Sequence, residues 1–331
     1  MINHTLSRRR VVTATLASLA TIGFMPARAQ SRPLSFIVPQ PAGNPTDGIA
    51  RKLQPLLQTL LGQTVIVENL PGASGSLGVN KALQSPADAP ALLITSQSEP
   101  ILAPLSLESV RYKPEELRPV ALAGRTTYLL AARADLPAAN IGELIELAKR
   151  SNAKPLSLGH NGHGSMMHLL GEKWASLSGV PINSVPYRGM PPIAQDLMGG
   201  QIDLAFLPLG GSVVQLVESG KVRSYGITDS VAMARLPKLL PLAQQNRALA
   251  DFVHGTWGAV LVSRTVPEAT VQRLHKALIS ALADPDVRQY LVGSGLEPLP
   301  EPLNLTQLEA FYQGETRLYQ KLFREIGLKP I

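Results

Sequence analysis

Two stretches of this sequence place glycines where a strand hands over to a helix: Pro39 to Asp47 (PQPAGNPTD) and Gly159 to Ser165 (GHNGHGS). Such a junction can hold an anion without any cationic side chain. The first turn of a helix leaves backbone N–H groups unpaired and carries a partial positive charge, and glycine lets a solute approach the main chain closely. A single junction of this kind is also what any tight turn between two elements looks like. Neither has the spacing of a nucleotide-binding loop: Gly43-Asn44-Pro45-Thr46-Asp47-Gly48 lacks the Gly-Lys-Ser/Thr ending, and no acidic residue is placed for a ribose.

His160, His163 and His168 are spaced closely enough to invite a metal, but no neighbouring carboxylate completes a ligand set, so no metal and no cofactor are assigned. Ser165 stands near His163 as a nucleophile stands near its base. The G-x-S-x-G elbow is absent, however, with His163-Gly164-Ser165-Met166-Met167 in its place. Asp47, Glu68, Glu172, Asp196 and Asp203 form no pair that spacing assigns to acid–base work, so no catalytic residue is named. Pro186-Tyr187-Arg188-Gly189 carries a ring and a guanidinium into a glycine turn, which either closes over a small carboxylate or serves as a surface turn. Asp203, after Gly199-Gly200-Gln201-Ile202, is either a satisfied polar group or a partner that positions a neighbouring loop.

The elements that must position these residues alternate short apolar strands with amphipathic helices, the pattern of an α/β chain with mainly parallel sheets. Leu34 to Val38 reads as a buried strand. Thr46 or Asp47 caps a helix that runs to Leu61, kinks at Pro55 and stops at Gly62, with Ile49, Leu53, Leu56, Leu57, Leu60 and Leu61 inward. Further strands are expected at 64 to 68, 92 to 95, 128 to 132, 156 to 158, 182 to 186, 202 to 207, 222 to 228 and 258 to 263. Helices are expected at Ile141 to Arg150, after Ser165 up to Gly179, and from Pro267 to Ala283.

The chain has 331 residues, 45% of them hydrophobic and 17% charged, and no cysteine, which excludes a disulfide scaffold, a thiolate metal site and a cysteine nucleophile. Its formal charge of +7 suggests a nucleic-acid or membrane-surface partner until the charge is located. Residues 1 to 29 hold four arginines (Arg8, Arg9, Arg10, Arg28) and no acid, so the remainder carries only +3 and nucleic acid is set aside. Arg8 to Arg10, an apolar run from Val11 to Met25 and the small-x-small Ala27-Arg28-Ala29 have the layout of a cleaved bacterial export signal, with the mature chain starting near Gln30. Ser7-Arg8-Arg9 also looks like the start of a twin-arginine signal.

Taken in order, several stretches resemble one family, the extracytoplasmic receptors of tripartite tricarboxylate transporters, or Bug-type solute-binding proteins. They are Ile37 to Gly43 with Thr46-Asp47, Val67-Glu68-Asn69, Pro71 to Gly75, and His160 to Ser165 with His168-Leu169. Val185 to Gly189, Gly199 to Asp203 and Ala283 to Val287 continue the series. The resemblance implies a monomeric, non-enzymatic periplasmic protein of the type II, Venus-flytrap class, with a mainly parallel sheet in each of two lobes. Lobe I would be residues 30–130 and 256–331, and lobe II residues 131–255. A small carboxylate would sit between them for delivery to a membrane permease. A receptor for a membrane signalling partner is the alternative, and a serine hydrolase using Ser165 a further one.

Carried over residue by residue, the resemblance assigns ligand contact to Pro41, Ala42, Gly43, Asn44, Thr46 and Asp47 in one loop. Asn161, Gly162, Gly164 and Ser165 would serve in the other, with His168 behind it and Tyr187, Arg188 and Gly189 nearby; His163 and Asp203 are added to the expected ligand-binding set from their own positions. Asn44-Pro45 stands where the family usually has glycines, which removes one N–H and adds an amide side chain. His160 and His163 replace small or amide residues, Ala87 to Ala91 replaces an Asp-Gly-Tyr turn, and Phe206 to Leu209 replaces a more polar segment.

Overall fold

The computed structural model describes residues 32–150, 154–232 and 236–331; the expected export signal and the expected start near Gln30 lie outside them. The strands are β1 (Leu34–Val38), β2 (Val65–Asn69), β3 (Leu92–Thr95), β4 (Leu117–Arg133), β5 (Leu156–His160), β6 (Ile182–Pro186), β7 (Leu204–Pro208), β8 (Val222–Ile227) and β9 (Gly255–Ser263). The helices are α1 (Pro45–Leu61), α2 (Ser76–Leu83), α3 (Ala103–Ser106), α4 (Ile141–Arg150), α5 (Met166–Ser178), α6 (Met190–Met198), α7 (Gly211–Glu218), α8 (Leu242–Gln245), α9 (Glu268–Leu282), α10 (Pro285–Gly293) and α11 (Leu305–Ile326).

Strand order is β2-β1-β3-β9-β4-β7-β5-β6, with β8 also on β4. The pairs β1/β2, β1/β3, β5/β6 and β5/β7 are parallel, and every antiparallel pair involves β4 or β9. Thus a parallel set lies on either side of two crossing strands. The register fixes where their ends point. The end of β3 (Thr95↔Ala259) lies near the Gly255 end of β9, which pairs with Thr127, while the end of β7 pairs with Tyr128 (Tyr128↔Pro208). Both parallel sets therefore turn their C-terminal ends toward the middle of β4, where open α/β sheets hold ligands.

Two hydrophobic cores support this frame. One packs Phe36, Leu92 and Val260 against Leu53 and Leu57 of α1 and Leu278 of α9. The other joins Leu129 and Phe206 to Trp174 of α5 and Tyr319 of α11. Several local readings change. The cap of α1 is Asn44, because Pro45 is preset for the first helical position and the Asn44 Oδ1 accepts the Asp47 N–H at 3.0 Å. The helix runs continuously through Pro55, and Leu60 is 47% exposed because the turn of the helix carries it off the buried face. The 128–132 strand is the second half of a 17-residue strand, and the 22-residue α11 was not expected from the sequence.

Candidate functional site

The first glycine loop leaves β1 and ends in α1. Gly43 has φ +86° and donates its N–H to Asp47 Oδ2 at 2.9 Å, while Asn44 caps the helix. Asn44 Nδ2 also donates to the Pro41 carbonyl. Asp47 is buried and pairs with Arg51, whose Nε donates at 3.1 Å and whose Nη2 lies 3.0 Å from Oδ1. Burial alone would raise the Asp47 pKa, but Arg51, the Gly43 N–H and Asn69 outweigh it and hold the carboxyl below its ordinary value. Asp47 therefore fastens the loop, with both oxygens already engaged.

The second loop repeats this design between β5 and α5. Gly164 has φ +68° and donates its N–H to His168 Nδ1 at 3.1 Å, while Ser165 caps the helix by accepting the His168 N–H at 3.3 Å. In both loops a left-handed glycine precedes the cap, and the side chain four residues on accepts its N–H. His168 Nε2 faces Glu172 Oε1 at 3.4 Å, and the His160 ring stacks on His168 with centroids 4.4 Å apart. Burial, then His168, push the His160 pKa down to about 4. Glu172 lies below its ordinary value, chiefly through its bond to His168. Among the described residues no group of three His, Asp or Glu side chains is arranged to hold a metal.

His163 Nε2 is 3.1 Å from the Lys329 carbonyl, and the Ser165 hydroxyl accepts the His168 main-chain N–H, so no Ser–His side-chain pair is assembled among the described residues. Gly164 rests against Ser106 of α3, and the Ile331 N–H donates to the Ser106 carbonyl at 3.0 Å. Asn161, Gly162, His163, Gly164, Ser165 and His168 thus form one cluster at the end of β5. The turn after β6 joins it through the Tyr187 N–H, which donates to the His160 carbonyl at 2.8 Å. The Tyr187 hydroxyl donates to Asp196 Oδ2 at 2.7 Å, and burial together with Asp196 pushes its pKa up to about 12. Gly189 has φ +101°, and Arg188 is exposed with no ion pair among the described residues.

Asp203 lies elsewhere. It precedes β7, at the opposite end of the sheet from the loops, and accepts from Arg133 Nε at 2.9 Å, Ser157 N–H at 2.9 Å and the Ser157 hydroxyl at 2.8 Å. It is the satisfied polar group of the two readings. Burial would raise its pKa, but Ser157 and Arg133 bring it below the ordinary value.

Sequence reasoning missed Glu99. It lies just beyond β3, is buried, and accepts from Gln40 Nε2 at 2.7 Å and the Thr95 hydroxyl at 2.6 Å, tying the third strand end to the first loop. Apolar periodicity carries no sign of it; its place after a parallel strand was the available signal.

The tripartite tricarboxylate transporter family receptor pattern matches residues 49–328. The chain belongs to this receptor family. BugT of Bordetella pertussis is 31% identical to this receptor over 325 residues, covering 96% of this chain and 95% of BugT. The solved structure of the periplasmic binding protein BugD is 31% identical, with a TM-score of 0.75 over 90% of this chain and 99% of that one. MatC from Rhodopseudomonas palustris with bound malate is 27% identical, with a TM-score of 0.75 over 88% and 99%. This receptor shares the fold of periplasmic binding proteins, and among its described residues no helix is long and apolar enough to cross a membrane.

Proposed function

We propose that this receptor is exported to the periplasm, captures a small carboxylate between the two halves of its sheet and hands it to a membrane permease of the tripartite tricarboxylate type. The observation that carries this reading is the twin loop. Gly43 with Asn44 and Gly164 with Ser165 begin α1 and α5 at strand ends that both turn toward the middle of β4. MatC, a relative of the same fold, was solved with malate.

In this reading residues 30–130 with 256–331 and residues 131–255 move as two lobes. The fastened glycines shape the loops, leaving the amides of the first helical turns for the solute. Pro45 supplies none, so α1 offers fewer donors than α5, where Met166 and Met167 retain theirs. Closure follows because an anion meeting both helix ends interacts more favourably with the closed form than with the open one. Pro41, Ala42, Thr46, Asn161, Gly162, Tyr187, Arg188 and Gly189 complete the site, and the solute leaves unchanged.

Ligand-stripped, monomeric protein is screened by thermal shift against malate, adipate, other di- and monocarboxylates, aromatic acids and uncharged analogues. A true ligand at a hundredfold excess over Kd adds about 2.7 kcal/mol of stability. Stabilisation by acids and not by their amides is expected; no shift with any acid, or turnover of one, overturns the reading.

A further inference from the structure

Where β4, β8 and β9 meet α11 they line a part-open cavity of about 280 Å³, with Ser230, Val253 and Leu318 at its exposed rim, and no residue of either glycine loop lines it. Its wall carries charges of both signs, one arginine (Arg125) and three acidic residues (Asp229, Glu297 and Glu315), with Glu297 beside Arg125 in a backbone bridge. Arg125, at the middle of β4, lays its guanidinium over the Phe311 ring at 5.0 Å and has no ion pair among the described residues. Glu315 of α11 accepts the Trp257 indole N–H on Oε2 at 2.9 Å. Asp229 stands half-buried beyond the end of β8.

His254 also lines the cavity. It is only 7% exposed, yet neither ring nitrogen has a hydrogen-bond partner among the described residues. Both nitrogens are closed off from the cavity as well, so the imidazole forms part of the wall and is not a direct contact for a solute. The size of the space limits what it holds. At about 30 Å³ per water it holds several waters or one small molecule, and it falls below the range of about 300–1,000 Å³ typical of drug-sized ligands.

We propose that this cavity is a second solute site, separate from the glycine loops, which takes a small zwitterion such as a free α-amino acid. The carboxylate meets Arg125 and the ammonium meets Glu315 and Asp229. A dicarboxylate would set its second charge against those two acids, and a simple cation would leave the guanidinium unmatched. The proposal does not depend on carboxylate capture by the loops.

The probe is L-alanine, titrated calorimetrically into the ligand-stripped protein beside lactate, which lacks the ammonium, and L-alaninamide, which lacks the carboxylate. L-alanine is expected to bind, with both analogues weaker by about tenfold or more. Arg125→Gln and Glu315→Gln are expected to weaken L-alanine by about tenfold each, while Ser165→Ala and Arg188→Gln leave it within about twofold. As a check that needs no variant to fold, the His254 ring resonances of the unaltered protein are expected to move on adding L-alanine, with those of His160, His163 and His168 unmoved. Absence of binding at millimolar L-alanine, loss of binding in Ser165→Ala, or movement of the loop histidines in place of His254 overturns the proposal. Failure of the loop reading instead shows as carboxylic acids that do not stabilise the protein.

Discussion

A Cβ built on Gly164 falls 2.1 Å from the Ser106 Cβ, so the second glycine loop is pressed directly onto α3. The equivalent atom on Gly43 meets nothing within 4 Å. Both glycines have positive φ, so alanine at either position carries a backbone penalty of about 1–2 kcal/mol. Gly164→Ala adds an overlap that costs a further 1–3 kcal/mol or so in a packed site. Urea denaturation is expected to find Gly164→Ala the more destabilising by that margin, and Ser106→Gly to recover the overlap but not the backbone part. Equal losses at the two glycines would mean that the loop does not rest on α3.

Protons report on the same loops. Asp47 and Asp203 are held below the ordinary value of 3.8, with burial opposed by hydrogen bonds and arginines. A depressed carboxyl contributes stability that is intact above its unfolded value and is lost as pH falls through the folded one. His160 acts at higher pH. It is pushed down to about 4 from 6.5, so between those values the unfolded chain takes up a proton that the folded imidazole refuses. Stability from this group is complete above pH 6.5 and declines toward about pH 4; His254, lowered to about 4 by burial and then Lys173, adds to the same slope. Urea melts across this range are expected to show the decline, with a shallower slope in His160→Asn. Asp47→Asn should lower stability throughout the neutral range and flatten the acid limb, leaving the His160 slope unchanged. An unchanged slope in His160→Asn would contradict a neutral folded imidazole.

The parts that were legible in sequence are those with a local cause. Leu34 to Val38 is apolar at every position but Ser35 and largely buried on both faces, and the helix of Ile141–Arg150 follows from Leu144, Ile145 and Ala148 at helical spacing. Gly62 and Gly179 end their helices in left-handed caps, as glycine after an apolar face should. What was hidden depends on tertiary pairing. The first half of β4, from Leu117, is a strand because β9 lies beside it, and nothing in its own alternation distinguishes it from a loop. Glu99 and the Asp203 bonds to Arg133 and Ser157 are contacts between segments far apart in the chain, which periodicity cannot report. The fastening of Gly43 by Asp47 and Gly164 by His168 was within reach, since both pairs are four residues apart, but Asp and His do not share a motif.

Asp203 tests the division between binding and support. Asp203→Asn keeps the shape but weakens acceptance from Arg133 and Ser157, so a stability loss of about 1–3 kcal/mol is expected. Its distance from the loops, at the far end of β7, leaves solute affinity within about twofold, because sites without shared partners act independently. A large affinity loss at unchanged stability would return Asp203 to the binding site.

Arg188 is the converse case. Its side chain is exposed, and no ion pair among the described residues holds it, so the folded protein gains little from its charge. If it reaches over a captured carboxylate when the halves close, the bond it makes is charge-assisted and shielded from water. Such bonds contribute about 1.5–3 kcal/mol, which predicts an affinity loss of roughly ten- to a hundredfold in Arg188→Gln. Arg188→Lys should recover part of it, because a lysine restores the charge but not the paired N–H geometry. Calorimetric titration of a carboxylate found by the thermal screen measures the loss, and a melt of the unliganded variant is expected to match the parent within about 0.5 kcal/mol. Affinity that ignores the substitution would leave the guanidinium as part of a surface turn and place the whole of anion recognition on the helix ends.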